Sequence, residues 1–153
     1  MSLKKYKQKR DFRQSPEPKG KKEKKKENRF VIQKHAATNL HYDFRLEMDG
    51  VLKSWAIPKK PPQKAGIKRL AMQVEDHPID YINFAGEIPQ GNYGAGQVEI
   101  WDKGRYKMEE KKKNEFKFIL KGNKLKGEYV LVKPKGSSFG KKAWLFFKTK
   151  SKN

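Results

Sequence analysis

The chain has 153 residues, no cysteine and a formal charge of +21, from 38 Lys and Arg against 17 Asp and Glu. One domain with one core suits that length; the missing cysteines exclude a disulfide framework and a thiolate metal site, and fit a cytoplasmic location. No run approaches the ~18–20 apolar residues of a membrane span, and the basic first residues lead into no apolar stretch of a secretory signal.

Residues 1–28 hold 12 basic and 4 acidic residues, a net of +8, which leaves +13 on the remainder. The tail alone therefore does not explain the charge. A field this positive over the whole chain concentrates polyanions, which points to nucleic acid. Lys19 to Asn28 is nearly all Lys, Glu and Gly. It buries too little apolar surface to offset the entropy of ordering, so residues 1–28 read as a flexible basic arm, with residues 29–153 as the folded body. Within the arm, Arg10-Asp11-Phe12 and Pro16-Glu17-Pro18 combine an aromatic anchor with charges of both signs, and this piece can dock when substrate is present.

From Arg29 the chain reads as strands. Arg29–Lys34 is the first. His41–Met48 alternates strictly, placing Tyr42, Phe44, Leu46 and Met48 on one face and His41, Asp43, Arg45 and Glu47 on the other, the period of a half-buried strand. Asp49-Gly50 signals a tight hairpin, Val51–Ile57 is the returning strand, and Pro58, Pro61 and Pro62 end it. Further strands are expected at Leu70–Glu75, Gln97–Asp102, Arg105–Glu109, Phe116–Leu120, Gly127–Lys133 and Ala143–Thr149. Many short strands at even spacing, with only a few short helices, predict a mostly β barrel or sandwich. Gly91-Asn92-Tyr93-Gly94-Ala95-Gly96 lacks the Lys-Ser/Thr of a P-loop and precedes a strand, so it reads as a tight irregular turn.

The polar face of His41–Glu47 carries the chemistry. Side chains at i and i+2 of a strand emerge ~6–7 Å apart, so His41 and Asp43 can converge on one divalent ion, and Arg45 can grip an anion bound to it. His35 can fold back across residues 36–40 as a third ligand. A solvated polar face with ordinary surface histidines is the plainer alternative. His77, ending a strand and flanked by acids, can donate to a phosphoryl oxygen or a leaving group, and Tyr81 can add a hydroxyl. Lys59, Lys60, Lys68 and Arg69 are candidate phosphate contacts.

The runs Arg29–Pro58 (RFVIQKHAATNLHYDFRLEMDGVLKSWAIP), Lys68–Tyr81 (KRLAMQVEDHPIDY) and Phe84–Asp102 (FAGEIPQGNYGAGQVEIWD), with the arm motif, resemble the 3′-phosphoesterase domain of bacterial DNA ligase D. The likeness extends from Arg10 to about Lys150 and is weakest over 103–126. With no room for polymerase and ligase domains, the chain is similar to the free-standing version, which would act as a monomer, away from membranes, beside separate ligase and polymerase chains. The resemblance implies a small single-domain β-barrel with a concave groove. It implies removal of 3′-phosphates and 3′-ribonucleosides from a DNA or DNA/RNA primer-template, leaving 3′-hydroxyls. It implies a divalent metal, typically manganese, at His35, His41 and Asp43, with the phosphate gripped by Arg45 and His77. Gln33, Lys59, Arg69 and Tyr81 match positions at or near that site, and Arg10, Asp11 and Glu17 match an arm needed for activity. Glu17 is expected to approach the metal through water.

Two other classes remain open on the residues alone. A non-catalytic small barrel can bind nucleic acid with His41, Asp43 and Arg45 merely lining a groove. An Fe(II) oxygenase can be built on His41-Tyr42-Asp43 with His77 closing a two-His-one-carboxylate triad, although the charge and the resemblance argue against it.

Overall fold

The computed structural model describes residues 3–18, 27–136 and 140–150. The alternating run folds as strand β2 (Leu40–Met48), and Asp49-Gly50 turns it into β3 (Val51–Ile57). Asp49 and Gly50 both take positive φ, 55° and 81°, the turn whose twist matches that of the flanking strands. On the other side of β2 lies β1 (Arg29–Ala36), with His35 opposite His41 and Gln33 opposite Asp43.

The remaining strands are β4 (Lys68–His77), β5 (Gly86–Ile88), β6 (Gly96–Lys112), β7 (Glu115–Gly122), β8 (Lys126–Val132) and β9 (Ala143–Lys148). Neighbours run β1-β2-β3-β4-β9-β8-β7-β6, and β6 pairs back onto β1, so eight antiparallel strands close into a barrel with β5 added alongside β6. The alternative of a sandwich is thereby settled in favour of a barrel. Two expected strands, Gln97–Asp102 and Arg105–Glu109, are one continuous β6. Between them Gly104 does not turn the chain. It lets β7 approach so closely that a Cβ there would collide with the Lys121 carbonyl. The three-residue β5 was not expected from the sequence.

Alternation gives this barrel two apolar clusters. Phe30, Ile32, Phe44, Trp55, Phe118 and Phe146 belong to the interior cluster, where Phe44 and Phe146 have ring centroids 4.9 Å apart. An eight-stranded barrel is just wide enough for its side chains to fill. Val31 and Leu52 point the other way, into a second cluster with Tyr6, Tyr81, Ile82 and Phe84. The wall formed by β1, β2 and β3 is therefore covered on its outside by a short 3-10 helix (Ile79–Asn83) and by the N-terminal segment. This corrects the half-buried reading of β2: Asp43, Arg45 and Glu47 are as buried as the apolar face. Glu47 is used structurally, accepting from the Arg29 guanidinium at 3.0 Å.

The N-terminal segment differs from the expected mobile arm over residues 3–18. Helix α1 (Lys4–Gln8) buries Tyr6 completely, and Ser15 and Glu17 are buried as well. The principal anchor is Tyr6, with Phe12 packed beside it at a centroid distance of 5.9 Å. Tyr6 is hidden in the sequence among lysines, and a five-residue helix is too short to show a period. The basic run at residues 19–26 lies outside the described residues. Among the described residues no helix is long and apolar enough to cross a membrane.

Candidate metal and phosphate site

His35, His41 and Asp43 each offer one ligand atom, and these atoms lie within 4.8 Å of one another. His35 lies on β1 directly across the ladder from His41, so the chain folds back across the short 37–39 turn and strand pairing sets the two rings side by side. Asp43 Oδ2 lies 3.3 Å from His41 Nε2 and 3.6 Å from His35 Nδ1. The outer nitrogens are held by backbone: His41 Nδ1 is 3.1 Å from the Asn39 carbonyl and His35 Nε2 is 2.7 Å from the Gly94 carbonyl. Only N–H can bond a carbonyl, so each ring keeps its other nitrogen aimed at Asp43. Ligating histidines are oriented in this way by their outer partners.

Asp43 is buried, which raises its pKa, but Arg45 and the two histidines outweigh that and hold the carboxyl well below its usual range. The hydrogen bond to Asp43 in turn raises His41 despite its burial. The cluster thus attracts positive charge, and two imidazoles with one carboxylate form a donor set that fits a divalent metal ion.

Arg45 sits next along the same face. Its Nε donates to Gln33 Oε1 at 2.7 Å, its Nη2 lies 3.6 Å from Asp43 Oδ2, and its guanidinium lies 4.9 Å from the Tyr81 ring centroid. Gln33 is held in turn by donating to the carbonyls of Tyr81 and Phe84, at 2.9 and 3.1 Å. Arg45 Nη1 is buried with no hydrogen-bond partner among the described residues. Leaving such a donor unpaired costs about 1–3 kcal/mol or more, and an arriving oxyanion removes that cost.

The docked segment forms the far wall of a cavity of about 250 Å³ that also holds the metal cluster and Arg45. Arg10 donates to Glu17 at 2.9 Å and to Glu75 at 3.4 Å, and its Nη2 is 3.3 Å from His77 Nε2. Tyr81 donates to Glu17 at 2.6 Å, as does Ser15 at 2.7 Å. Glu17 is therefore engaged by Arg10, Ser15 and Tyr81, and it lines the same cavity as the metal cluster without being one of its three ligands. Burial, then Arg45 and Arg10, hold His77 well below the ordinary histidine pKa. Its Nδ1 lies 3.0 Å from the Glu75 carbonyl, so the neutral ring donates there and Nε2 accepts from Arg10. Both features run against His77 as a ready acid in this arrangement. Nor does His77 join His41 and Asp43 in a triad; the third member of that cluster is His35.

Lys59 and Arg69 lie apart, lining a separate cavity with Lys68, and Arg69 donates to the Lys60 carbonyl. Asp11 is paired with Arg13 at the surface. Sequence reasoning passed over Glu75, Tyr93, Gly94, Tyr6 and Ser15. Glu75 sits in an acidic run that reads as surface, yet Lys9 and Arg10 both bond it. The glycine turn gave no sign that the Gly94 carbonyl would orient a ligand histidine.

Residues 33–133 match the family described as DNA Ligase D 3′-phosphoesterase domain. The chain is 52% identical over 139 residues to the multifunctional non-homologous end joining protein LigD of Pseudomonas aeruginosa, covering 86% of this chain and 16% of the relative. It is 44% identical over 147 residues to the protein of the same name from Mycolicibacterium smegmatis, covering 88% and 19%, and 44% identical over 140 residues to that of Mycobacterium bovis, covering 88% and 18%. The chain thus spans less than a fifth of the length of these relatives.

Proposed function

Because the chain belongs to the DNA ligase D 3′-phosphoesterase domain family, we propose that it hydrolyses phosphate esters at the 3′ ends of nucleic acid. Its substrates in this reading are DNA or DNA/RNA primer-templates whose 3′-terminal phosphate or ribonucleoside is removed to leave a 3′-hydroxyl. The observation that carries the reading is Arg45, its Nη2 3.6 Å from Asp43 and its Nη1 buried without a partner among the described residues, lining one cavity with His35, His41 and Asp43. A cation site and an oxyanion site share one cavity, in a chain whose net charge of +21 draws in polyanions.

His35, His41 and Asp43 would hold the divalent ion, manganese being the metal we assign. When bound, it supplies a Lewis acid toward a phosphoryl oxygen. Arg45 neutralises the charge that grows on the non-bridging oxygens, and Gln33 keeps its planar fork aimed at them. In hydrolysis of a 3′-phosphate, the phosphorus–O3′ bond breaks, water oxygen takes the vacated position on phosphorus, and O3′ receives a proton. His77 is held neutral by the cations beside it. A phosphate dianion between Arg45 and Arg10 offsets those charges and raises the ring's affinity for a proton, which can then move to or from the reacting oxygens. Tyr81 and Glu17 fix Arg10, and Arg10 closes the cavity over His77.

The test is incubation of the protein with a primer-template bearing a 3′-phosphate, with manganese or with chelator, following release of inorganic phosphate. Metal-dependent release supports the reading. Binding without release in any metal would leave a non-catalytic nucleic-acid binder.

A further inference from the structure

A second cleft of about 630 Å³ opens beside the metal cluster and shares His41 and Gly94 with the first cavity. Its walls are residues 36–39 with His41, and residues 90–92 with Gly94 and Ala95. The size is within the range of about 300–1,000 Å³ usual for small-molecule sites. In a chain that is 36% charged, this cleft is lined by no lysine, arginine or carboxylate. Apart from the shared His41 ring, its polar side chains are the Thr38 hydroxyl and the amides of Asn39, Gln90 and Asn92. The side chains of Thr38, Asn39 and Gln90 hydrogen-bond to no other described residue, while Asn92 Nδ2 donates to the Pro89 carbonyl at 3.2 Å and leaves Oδ1 free. The walls are fixed to one another at their base. Ala36 pairs with Gln97, and Gly96 (φ 135) packs so tightly that a Cβ would collide with the Ala36 carbonyl. Beside the lining residues in sequence stand two of the three large exposed apolar side chains among the described residues, Leu40, 48% exposed, and Tyr93, 47% exposed, the latter lining the first cavity. Tyr93 is braced by Lys9 and Arg10 against its ring.

We infer that this cleft binds the sugar and base of the nucleotide whose phosphate enters the charged cavity. The inference rests on the reading above and adds where the uncharged part of the substrate goes. Ribose hydroxyls and base edges are neutral donors and acceptors, matched by amides and a hydroxyl rather than by charge. The flat face of a base finds apolar surface on Ala36, Ala37 and Ala95, which line the cleft. The division of labour follows: the cluster and Arg45 hold phosphate, and the neutral cleft reads the nucleoside.

The experiment compares two non-hydrolysable probes on the manganese-loaded protein by calorimetric titration: methylphosphonate, and a nucleoside carrying a 3′-methylenephosphonate. The nucleoside probe should bind at least tenfold tighter. The double variant Thr38→Ala/Gln90→Ala should bring the two affinities within about twofold while leaving methylphosphonate binding unchanged, which also shows that the variant is folded. Amide chemical shifts in the wild-type protein give a second readout, with the nucleoside probe, but not methylphosphonate, moving residues 36–40 and 90–95. An unchanged affinity ratio in the variant, or shifts confined elsewhere, overturns the inference and leaves the phosphate site standing. Failure of methylphosphonate to bind overturns the phosphate reading, and this inference with it.

Discussion

Arg10 Nη2 rests 3.3 Å from His77 Nε2, joining the N-terminal segment to the end of β4 across 67 positions of sequence. The ring's acceptor is thereby occupied by a cation, and the ring is kept neutral. An incoming dianion competes for the same guanidinium. Binding of sulfate, which carries no titratable proton at neutral pH, should therefore be accompanied by proton uptake near pH 6. Calorimetry in buffers of different ionisation enthalpy measures that uptake, and it should shrink in His77→Gln. Equal uptake in both proteins would place the proton elsewhere.

The metal cluster is the second test. Asp43 bridges both histidines, so Asp43→Asn removes the charge while keeping the shape. Manganese affinity should fall at least 100-fold, read by manganese electron paramagnetic resonance on titration, and catalysis should fall with it. His41→Ala should do the same. Turnover close to normal in His41→Ala would rule out this ligand set.

Arg45→Lys keeps a charge but loses the fork that bonds Gln33 with one nitrogen and leaves another for substrate. The rate at saturating substrate should drop about 100-fold, the scale of removing one transition-state donor. Gln33→Ala should lower the rate less, through loss of the fork's aim, with metal affinity unchanged. Metal titration alongside single-turnover kinetics separates the two.

The docked segment should come away in alkali. Burial raises the phenol pKa of both Tyr6 and Tyr81. Each phenol binds its proton more tightly folded than unfolded, so the stability it contributes is complete below about pH 10 and is lost as pH rises above that. Protease cleavage between residues 3 and 18 should accelerate above pH 10 while the barrel resists. Glu17→Gln removes the buried partner of Arg10, whose side chains are 0% and 5% exposed, and should cost about 3 kcal/mol in denaturant unfolding. A change below 0.5 kcal/mol would mean that Glu75 alone suffices to hold Arg10.

The barrel was legible where one strand face differs from the other. Tyr42 to Met48 announced an inward face, and Asp49-Gly50 fixed the hairpin. What escaped were features made by contact between distant segments. No period marks Tyr6, whose burial depends on Tyr81 and His77 across the interface. Gly104 looks like a turn until β7 is seen to lie against it. In the candidate site, the ligand trio and Arg45 could be read because they share one hairpin, and family likeness supplied Arg10 and Glu17. The partners that orient them, Gly94, Glu75 and the Asn39 carbonyl, are backbone atoms or plain surface residue types. Their role exists only once the chain is folded.

Because His35, His41 and Asp43 lie within residues 35–43 on one hairpin, their assembly needs only a short loop to close. Such hairpins form in about 1–10 μs, whereas joining β1 to β6 brings His35 to Val98 and must await a much longer closure. The cation site therefore comes together early in folding, ahead of the barrel that surrounds it. A metal present during folding would hold this hairpin in chains that are otherwise open. It would hasten refolding while raising equilibrium stability by less than its affinity for the native protein implies, since part of that affinity is already expressed in the unfolded ensemble.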